Sequence, residues 1–176
     1  MRQPVGVRKA LELMQISSQA VFANCWYSGV PESPAPWERY GGRNSAVAVR
    51  SSIGALKAAL KRSTKKVHIA SVSYFDYETD TVATGNAYLS ALHKHAIFKQ
   101  EREVRALSLQ VGDKSNVFSP GPEQGIDIDV DPAILVEEVR IPPESDPWFH
   151  GLLATLAHRY GASWPVFRTD LPELKL

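Results

Sequence analysis

Hydrophobic and polar residues change from helical to strand spacing several times along this chain. Val7, Leu11 and Met14 are spaced to share one helix face, which predicts a helix over residues 7–16. The apolar run over residues 20–27 predicts a strand. A helix followed by a strand therefore opens the predicted fold.

Prolines and glycines bound the next element. Pro36 suits an early helix position with Ser33 as its cap, and the glycine pair at 41–42 ends the helix. Trp37 and Tyr40, three residues apart, would then share one helix face. We expect a short helix that carries an aromatic pair.

The remaining pattern alternates strands and helices. Strands are predicted over residues 46–50, 67–77, 101–109, 134–141 and 166–168, and helices over 52–61, from about 86, and from an Asp146-Pro147 cap to Tyr160. A stretch rich in Gly, Pro, Ser and Asp predicts a loop over 112–125. This rhythm predicts a single α/β domain over residues 1–176, with a mixed sheet and flanking helices, and with α+β as the alternative.

Composition and length narrow the class of protein. The 176 residues suffice for one domain with a substantial core, and no apolar run approaches the roughly 20 residues that span a bilayer. The polar, basic start lacks the apolar segment of a secretory signal, so we expect a cytoplasmic protein without membrane contact. Cys25 is the only cysteine, which excludes an intrachain disulfide and predicts a buried thiol.

Charge is unevenly distributed along the chain. Residues 1–105 carry 15 Lys and Arg against 8 Asp and Glu, whereas residues 106–176 carry 5 against 11. Five basic residues lie close together in sequence and could contact nucleic acid or a protein partner: Lys57, Lys61, Arg62, Lys65 and Lys66. In the alternative interpretation, Lys57 and Lys61 lie on the solvated side of a helix. The apolar face of that helix is formed by Ile53, Leu56 and Leu60.

The most informative segment is Glu101-x-Glu103-x-Arg105. In a strand these alternate residues project from one face, beside Leu107 and Leu109. Ionised groups on a largely buried face need partners, which makes the segment a candidate site. Neighbouring carboxylates repel each other, so one is expected to have a raised pKa and act as acid or base while the other stays ionised.

We predict a pocket that combines this segment with residues from earlier elements. Glu103 and Glu101 are the candidate catalytic residues. The candidate ligand-binding residues are Trp37, Tyr40, Arg50, Ser51, Lys94 and Arg105. In the alternative interpretation, the two glutamates and Arg105 form a structural ion-pair ladder with Arg50 or Lys94, and the two aromatic residues belong to the core.

The sequence does not favour a metal site. His93 and His95 lie two residues apart in a predicted helix, which places them on different faces. Three aspartates alternate with apolar residues, but Pro132 stands where a calcium loop needs glycine, so we interpret them as a solvated strand edge: Asp127, Asp129 and Asp131. Phosphate-loop, zinc-protease and serine-hydrolase motifs are absent from the sequence.

Several short motifs follow one another in a defined order. The first block comprises Cys25-Trp26, Glu32-Ser33, Trp37-x-x-Tyr40 and a strand that ends in Arg50-Ser51-Ser52. The second comprises His93-Lys94, Phe98 and Glu101-x-Glu103-x-Arg105, followed by the segment Pro142 to Phe149. Over residues 21–171 this order resembles an uncharacterised bacterial family that is defined only as a domain of unknown function, and the resemblance implies no activity. Members of that family usually carry a further segment before the Cys-Trp block, so a family element is expected to be shortened or absent here.

A weaker resemblance suggests a reaction. A strand ending in Ser51, then a helix and later a Glu-x-Glu strand, is similar to the arrangement in ADP-ribosyltransferases. The resemblance implies that Glu103 holds the nicotinamide ribose of NAD, that Ser51 supports the nicotinamide pocket and that Glu101 orients the acceptor. The arginine or histidine on the first strand of those enzymes has no clear counterpart in residues 20–27, and Arg105 is not part of their usual pattern.

Two functions therefore remain as expectations. One is a nucleotide-ligand enzyme of the ADP-ribosyltransferase type, with NAD as its substrate. The alternative is a non-catalytic ligand-sensing or interaction domain in which the Glu/Arg ladder is structural.

Overall fold

The computed structural model describes residues 20–29, 34–41, 46–81, 86–110 and 125–171. The predicted helix over 7–16 and nearly all of the predicted loop over 112–125 lie outside these ranges. The chain forms two compact units, the first comprising Met1–Ser28 with Lys65–Asp127 and the second Gly29–Thr64 with Ile128–Leu176. The single domain over 1–176 stays a prediction.

Eight strands and four α-helices are present in the described ranges. The strands are β1 (Val21–Tyr27), β2 (Ala48–Arg50), β3 (His68–Ser71), β4 (Ser73–Phe75), β5 (His93–His95), β6 (Glu103–Leu109), β7 (Glu138–Ile141) and β8 (Val166–Arg168). The helices are α1 (Pro34–Pro36), α2 (Ile53–Ala59), α3 (Pro132–Leu135) and α4 (Pro147–Arg159), with a π-helix over Trp37–Gly41 and 3₁₀ turns over Leu60–Arg62, Leu89–Ala91 and Ala96–Glu101. Parallel and antiparallel pairs both occur, which confirms the predicted mixed α/β class.

In the first unit, β6 is the central strand of a three-stranded antiparallel sheet. It pairs with β1 on one side and with β3 on the other. Arg105 lies opposite Cys25 of β1 and Ala70 of β3, so these residues share one face of the sheet. Leu107 is fully buried on this face and Val104 is buried on the other, so β6 is covered on both sides. A short parallel pair, β4 with β5, follows in the same unit.

In the second unit, β7 lies between antiparallel β2 and parallel β8. Val139 and Ile141 of β7 are buried, as are Phe149 and Ala157 of α4, which packs beside β8. Trp37 also belongs to the core of this unit. Burial of apolar side chains from the sheet and from α4 therefore stabilises the second unit.

Local sequence signals mark both longer helices, but the predicted cap Asp146 makes no side-chain hydrogen bond to the backbone of α4. The Ser52 hydroxyl accepts a hydrogen bond from the N–H of Ala55 at 3.1 Å, which caps α2. Pro147 occupies the first turn of α4, and Gly161 follows the helix with a φ of 72°, a conformation that glycine adopts without strain.

The helix predicted from about residue 86 is wrong. The segment instead forms two 3₁₀ turns on either side of β5. Its helix-forming residues are overridden because His93–His95 pairs with β4, so a tertiary contact decides the local structure. Arg102 adopts a left-handed conformation with a positive φ of 43°, which is incompatible with an extended strand. Strand β6 therefore begins at Glu103, and Glu101 lies outside it.

Three smaller predictions are also wrong. Residues 126–131 form no strand, and Asp131 caps α3 by accepting a hydrogen bond from Ala133 N–H at 3.0 Å. Helix α3 occupies the first part of the strand predicted over 134–141, which begins at Glu138. Trp37 is buried whereas Tyr40 is 74% exposed, because the π-helix turns more widely than an α-helix and residues three apart no longer share a face.

Within the described ranges, none of the helices has the length and apolar character required to cross a membrane.

Candidate functional site

Four charged side chains of the first unit meet beside β6. The ammonium of Lys94 donates hydrogen bonds to the carboxylates of Glu101 and Glu103, with a distance of 2.7 Å to Oε1 of Glu103. Arg105 donates from Nε to Oε2 of Glu103 at 2.6 Å. We call these four residues the Lys94 cluster. Their side chains are largely shielded from water, the lysine being the most exposed at 26%.

Three different elements bring the cluster together. Glu103 and Arg105 project from one face of β6, as their spacing of two residues predicts. Lys94 comes from β5, and Glu101 is the last residue of the 3₁₀ turn before β6. The two carboxylates therefore converge as predicted, but through a shared lysine and not through alternation along one strand.

Backbone groups and an aromatic ring hold the cluster in place. Nη1 of Arg105 donates to the carbonyl of Ala91 at 2.5 Å, and the hydroxyl of Tyr74 accepts from the N–H of Glu103 at 2.8 Å. The Lys94 ammonium lies 5.0 Å from the centre of the Phe98 ring, within range of a cation–π contact. The cluster is thus a hydrogen-bonded network that links β4, β5, β6 and the Leu89–Ala91 turn.

Of the two carboxylates, Glu103 is the one that stays ionised. Burial acts to raise the pKa of Glu103, but hydrogen bonds with Glu101, Lys94 and Arg105 outweigh it and lower the pKa to about 2. Burial likewise opposes the charge on Lys94, yet its hydrogen bonds with the two glutamates raise its pKa above the ordinary value. Glu103 is therefore a fixed anion at neutral pH.

Cys25 lies on the same sheet face and extends the cluster. The residue as a whole is exposed, so the predicted burial is wrong, although its thiol is partly shielded. Burial raises the pKa of the thiol, Arg105 opposes the rise, and the Glu103 carboxylate adds to it. A thiol with a raised pKa is a weak nucleophile at neutral pH.

The other predicted site residues belong to the second unit. Arg50 donates to Oε1 of Glu138 at 3.0 Å, and Arg140 donates to the same oxygen at 2.5 Å. Burial opposes the charge on Glu138, but these two arginines lower its pKa. The Ser51 hydroxyl donates to the carbonyl of Leu135 at 2.6 Å, which links the end of β2 to α3. The predicted site thus divides into Lys94, Glu101, Glu103 and Arg105 in one unit and Trp37, Tyr40, Arg50 and Ser51 in the other.

The histidines beside Lys94 lie on a strand, so they share one face, contrary to prediction. Each contacts an aromatic ring edge to face: His93 lies 4.9 Å from Phe75 and His95 lies 5.5 Å from Tyr77, measured between ring centres. Across the described ranges, no group of three His, Cys, Asp or Glu side chains is arranged to hold a metal ion.

Sequence reasoning missed three contributors to the cluster: Cys25, Tyr74 and the carbonyl of Ala91. The alternation of β1 limits Cys25 to one of two sheet faces, but only the register with β6 places it opposite Arg105. No local pattern marks Tyr74 or Ala91, since each is brought to the cluster by tertiary structure.

Comparisons with protein-family models, with curated proteins and with solved structures found no match to this chain.

Proposed function

We propose that this chain is a non-catalytic ligand-sensing or interaction domain in which the Lys94 cluster has a structural role. One observation carries the proposal: both carboxylate oxygens of Glu103 accept hydrogen bonds from cations of the same unit, Oε1 from Lys94 and Oε2 from Arg105. A general base must take up a proton, and a carboxylate whose pKa is about 2 does so poorly at neutral pH.

The cluster has what a structural role requires. It joins β5, the 3₁₀ turn before β6 and β6 itself, and its partly buried charges are paired, which avoids the high cost of an isolated buried charge. The structural interpretation predicted that the glutamates pair with Arg50 or with Lys94. Lys94 is the residue that pairs with them, whereas Arg50 pairs with Glu138 in the second unit.

The basic residues suggest an acidic partner, such as nucleic acid or an acidic protein surface. Lys57, Lys61 and Arg62 are exposed on the second unit, and Lys65 and Lys66 are exposed on the first. Exposed cations lower the free energy of an encounter with phosphates, and such binding weakens as salt is added. A cytoplasmic location for this domain remains a prediction from the sequence.

An ADP-ribosyltransferase-like enzyme is the second candidate, and the ionised state of Glu103 favours it. In this reaction the bond between nicotinamide and ribose breaks, nicotinamide leaves with the bonding electrons, and an acceptor that loses a proton forms the new bond to ribose. A fixed anion beside the ribose would stabilise the positive charge that develops there. Glu103 would then be catalytic, with Glu101 orienting the acceptor, both within the first unit.

Calorimetric titration with NAD, ADP-ribose and a short single-stranded RNA separates the two candidates. It is combined with an assay of nicotinamide release by the unaltered protein, by Glu103→Gln and by Glu78→Gln, which changes an exposed carboxylate of the same unit. If the chain is an interaction domain, we expect no nicotinamide release, and we expect RNA binding that weakens as salt is added. The non-catalytic proposal would be overturned if the unaltered protein and Glu78→Gln release nicotinamide while a folded Glu103→Gln variant does not.

A further inference from the structure

A row of large apolar side chains lies exposed along α4. Trp148, Leu152 and Leu156 of α4 and Tyr160, which directly follows the helix, recur at every fourth residue and are 63, 43, 37 and 81% exposed. Residues four apart form one ridge on the surface of an α-helix. We refer to these four residues as the α4 ridge.

The ridge is not the face by which α4 packs in its own unit. That role belongs to the neighbouring row, in which Phe149 and Ala157 are buried. The ring nitrogen Nε2 of His150 also lies 2.9 Å from the carbonyl of Val166, which fixes the helix against β8. Isolated exposed apolar residues are common on proteins, whereas a contiguous row of four is typical of an interaction surface.

The surroundings of the ridge suit close contact with another helix. The indole N–H of Trp148 donates to Asp146 at 3.3 Å, so its polar group has a partner within the unit. Thr155 donates to the carbonyl of Gly151 at 2.8 Å, so its hydroxyl also has a partner. A Cβ atom added to Gly151 would meet nothing within 4 Å, so space is open beside the ridge. A second helix could cover the ridge without leaving these two polar groups unpaired.

Charge at the two ends of α4 points to a particular occupant. Asp146 precedes the helix, and His158 and Arg159 lie in its last turn. Two antiparallel copies of α4, related by a two-fold axis near the middle of the ridge, would place Asp146 of each copy near Arg159 of the other. The same arrangement sets Trp148 against Tyr160, so the surface is self-complementary, as a two-fold interface requires.

We propose that the α4 ridge binds the α4 ridge of a second copy of this chain. A buried aromatic side chain covers on the order of 150–250 Å², so the exposed parts of the four residues offer about 400 Å² per copy. Stable interfaces bury about 800 Å² per partner, so the dimer is weak and forms only at high protein concentration. The inference concerns the second unit and does not depend on the role of the Lys94 cluster.

Sedimentation equilibrium over a series of protein concentrations tests the proposal. The unaltered chain is expected to show a reversible monomer–dimer equilibrium. The double variant Leu152→Asp/Leu156→Asp is expected to raise the dissociation constant at least about tenfold, because it places charges at the centre of the interface. Ala154→Asp is the control for added negative charge, since it places one aspartate at an exposed position on the opposite side of α4 and should leave the dimer intact. Circular dichroism establishes that each variant is folded.

Charge reversal tests the antiparallel geometry separately. Arg159→Glu would face Asp146 of the other copy and should weaken the dimer several-fold, with the effect reduced at high salt. A chain that stays monomeric at every concentration overturns the proposal. In that case, quenching of Trp148 fluorescence shows what covers the ridge: a monomer in which Trp148 is shielded from the quencher has its ridge covered by its own chain. Dimers that survive the double Leu variant, or that are lost equally in Ala154→Asp, overturn it as well.

Discussion

Arg105 donates a hydrogen bond from Nε to Oε2 of Glu103 over 2.6 Å, between two residues on the same face of β6. Each of them is also held by another segment, Glu103 by Lys94 of β5 and Arg105 by the carbonyl of Ala91. The pair therefore ties the central strand of the first unit to neighbouring elements. Its removal is the most direct test of what the Lys94 cluster does.

Glu103→Gln is expected to lower the free energy of unfolding by about 3–5 kcal/mol, because Arg105 loses its carboxylate partner and Lys94 keeps only one. Urea unfolding followed by circular dichroism measures the change. Glu78→Gln replaces an exposed carboxylate in the same unit and should stay within about 0.5 kcal/mol. A loss below about 1 kcal/mol in Glu103→Gln would contradict a structural role.

The stability of the folded chain should depend on pH through Glu103. Its pKa is lowered from 4.5 to about 2 in the folded state, so the ionised carboxylate stabilises the fold above about pH 4.5. That contribution is lost as pH falls from about 4.5 to about 2. The difference in unfolding free energy between the unaltered chain and Glu103→Gln should therefore be constant near neutral pH and shrink in acid. A difference that persists unchanged to pH 2 would be the opposite result.

Lys94→Met should reverse the way in which the two carboxylates make folding stability depend on pH. Without the shared ammonium, Glu101 and Glu103 repel each other, so one folded-state pKa rises above its unfolded value. A raised pKa adds stability at low pH that disappears as pH rises, so the stability of Lys94→Met is expected to increase, relative to that of the unaltered chain, as pH falls from neutral towards the ordinary carboxylate pKa of 4.5. Lys99→Met, which changes an exposed lysine of the adjacent 3₁₀ turn, is the control and should show no such gain.

The reactivity of Cys25 reports on the charge of Glu103. Because the carboxylate helps to raise the pKa of the thiol, Glu103→Gln should lower that pKa and increase the rate of alkylation by iodoacetamide near pH 8 several-fold. Mass spectrometry of the native protein measures the rate, and Glu78→Gln should react like the unaltered chain. An equal or slower rate in the folded Glu103→Gln variant would contradict the predicted coupling.

Two glycines of the second unit should respond to alanine with opposite signs. A Cβ atom at Gly41 would lie 2.7 Å from Cβ of Ala46 and 3.3 Å from the Trp37 ring, so Gly41→Ala should cost about 1–3 kcal/mol. Gly151 lies within α4 with open space around it, so Gly151→Ala should stabilise the chain by about 0.5–1 kcal/mol. Thermal unfolding of the two variants measures both changes. A stabilising Gly41→Ala would show that the close approach to Ala46 relaxes at little cost.

Elements with strong local signals were predictable, and elements that depend on distant partners were not. Helices α2 and α4 follow from a capping serine, a first-turn proline and a terminal glycine, all of which act within a few residues. Strand β5 occupies a helix-forming stretch because it pairs with β4, which local propensity does not report. The π-helix at Trp37 likewise separates an aromatic pair that α-helical spacing would have joined.

The candidate site shows the same division. A spacing of two residues in a strand was enough to place Glu103 and Arg105 on one face, and the repulsion between charges was enough to require partners for them. Which partners they have was not predictable, because the cations and carbonyls that surround Glu103 come from segments whose relative positions depend on strand pairing.

The amino-acid sequence by itself determined the mixed α/β class, the positions of helices α2 and α4 and the shared face of Glu103 and Arg105, because each follows from interactions between residues close along the chain. Tertiary structure alone decided that Lys94 joins the two carboxylates, that Cys25 lies opposite Arg105 and that the pKa of Glu103 is lowered. The physical reason is that pairing register and burial set the distances and the local dielectric between side chains from distant segments, and these distances fix the charge state.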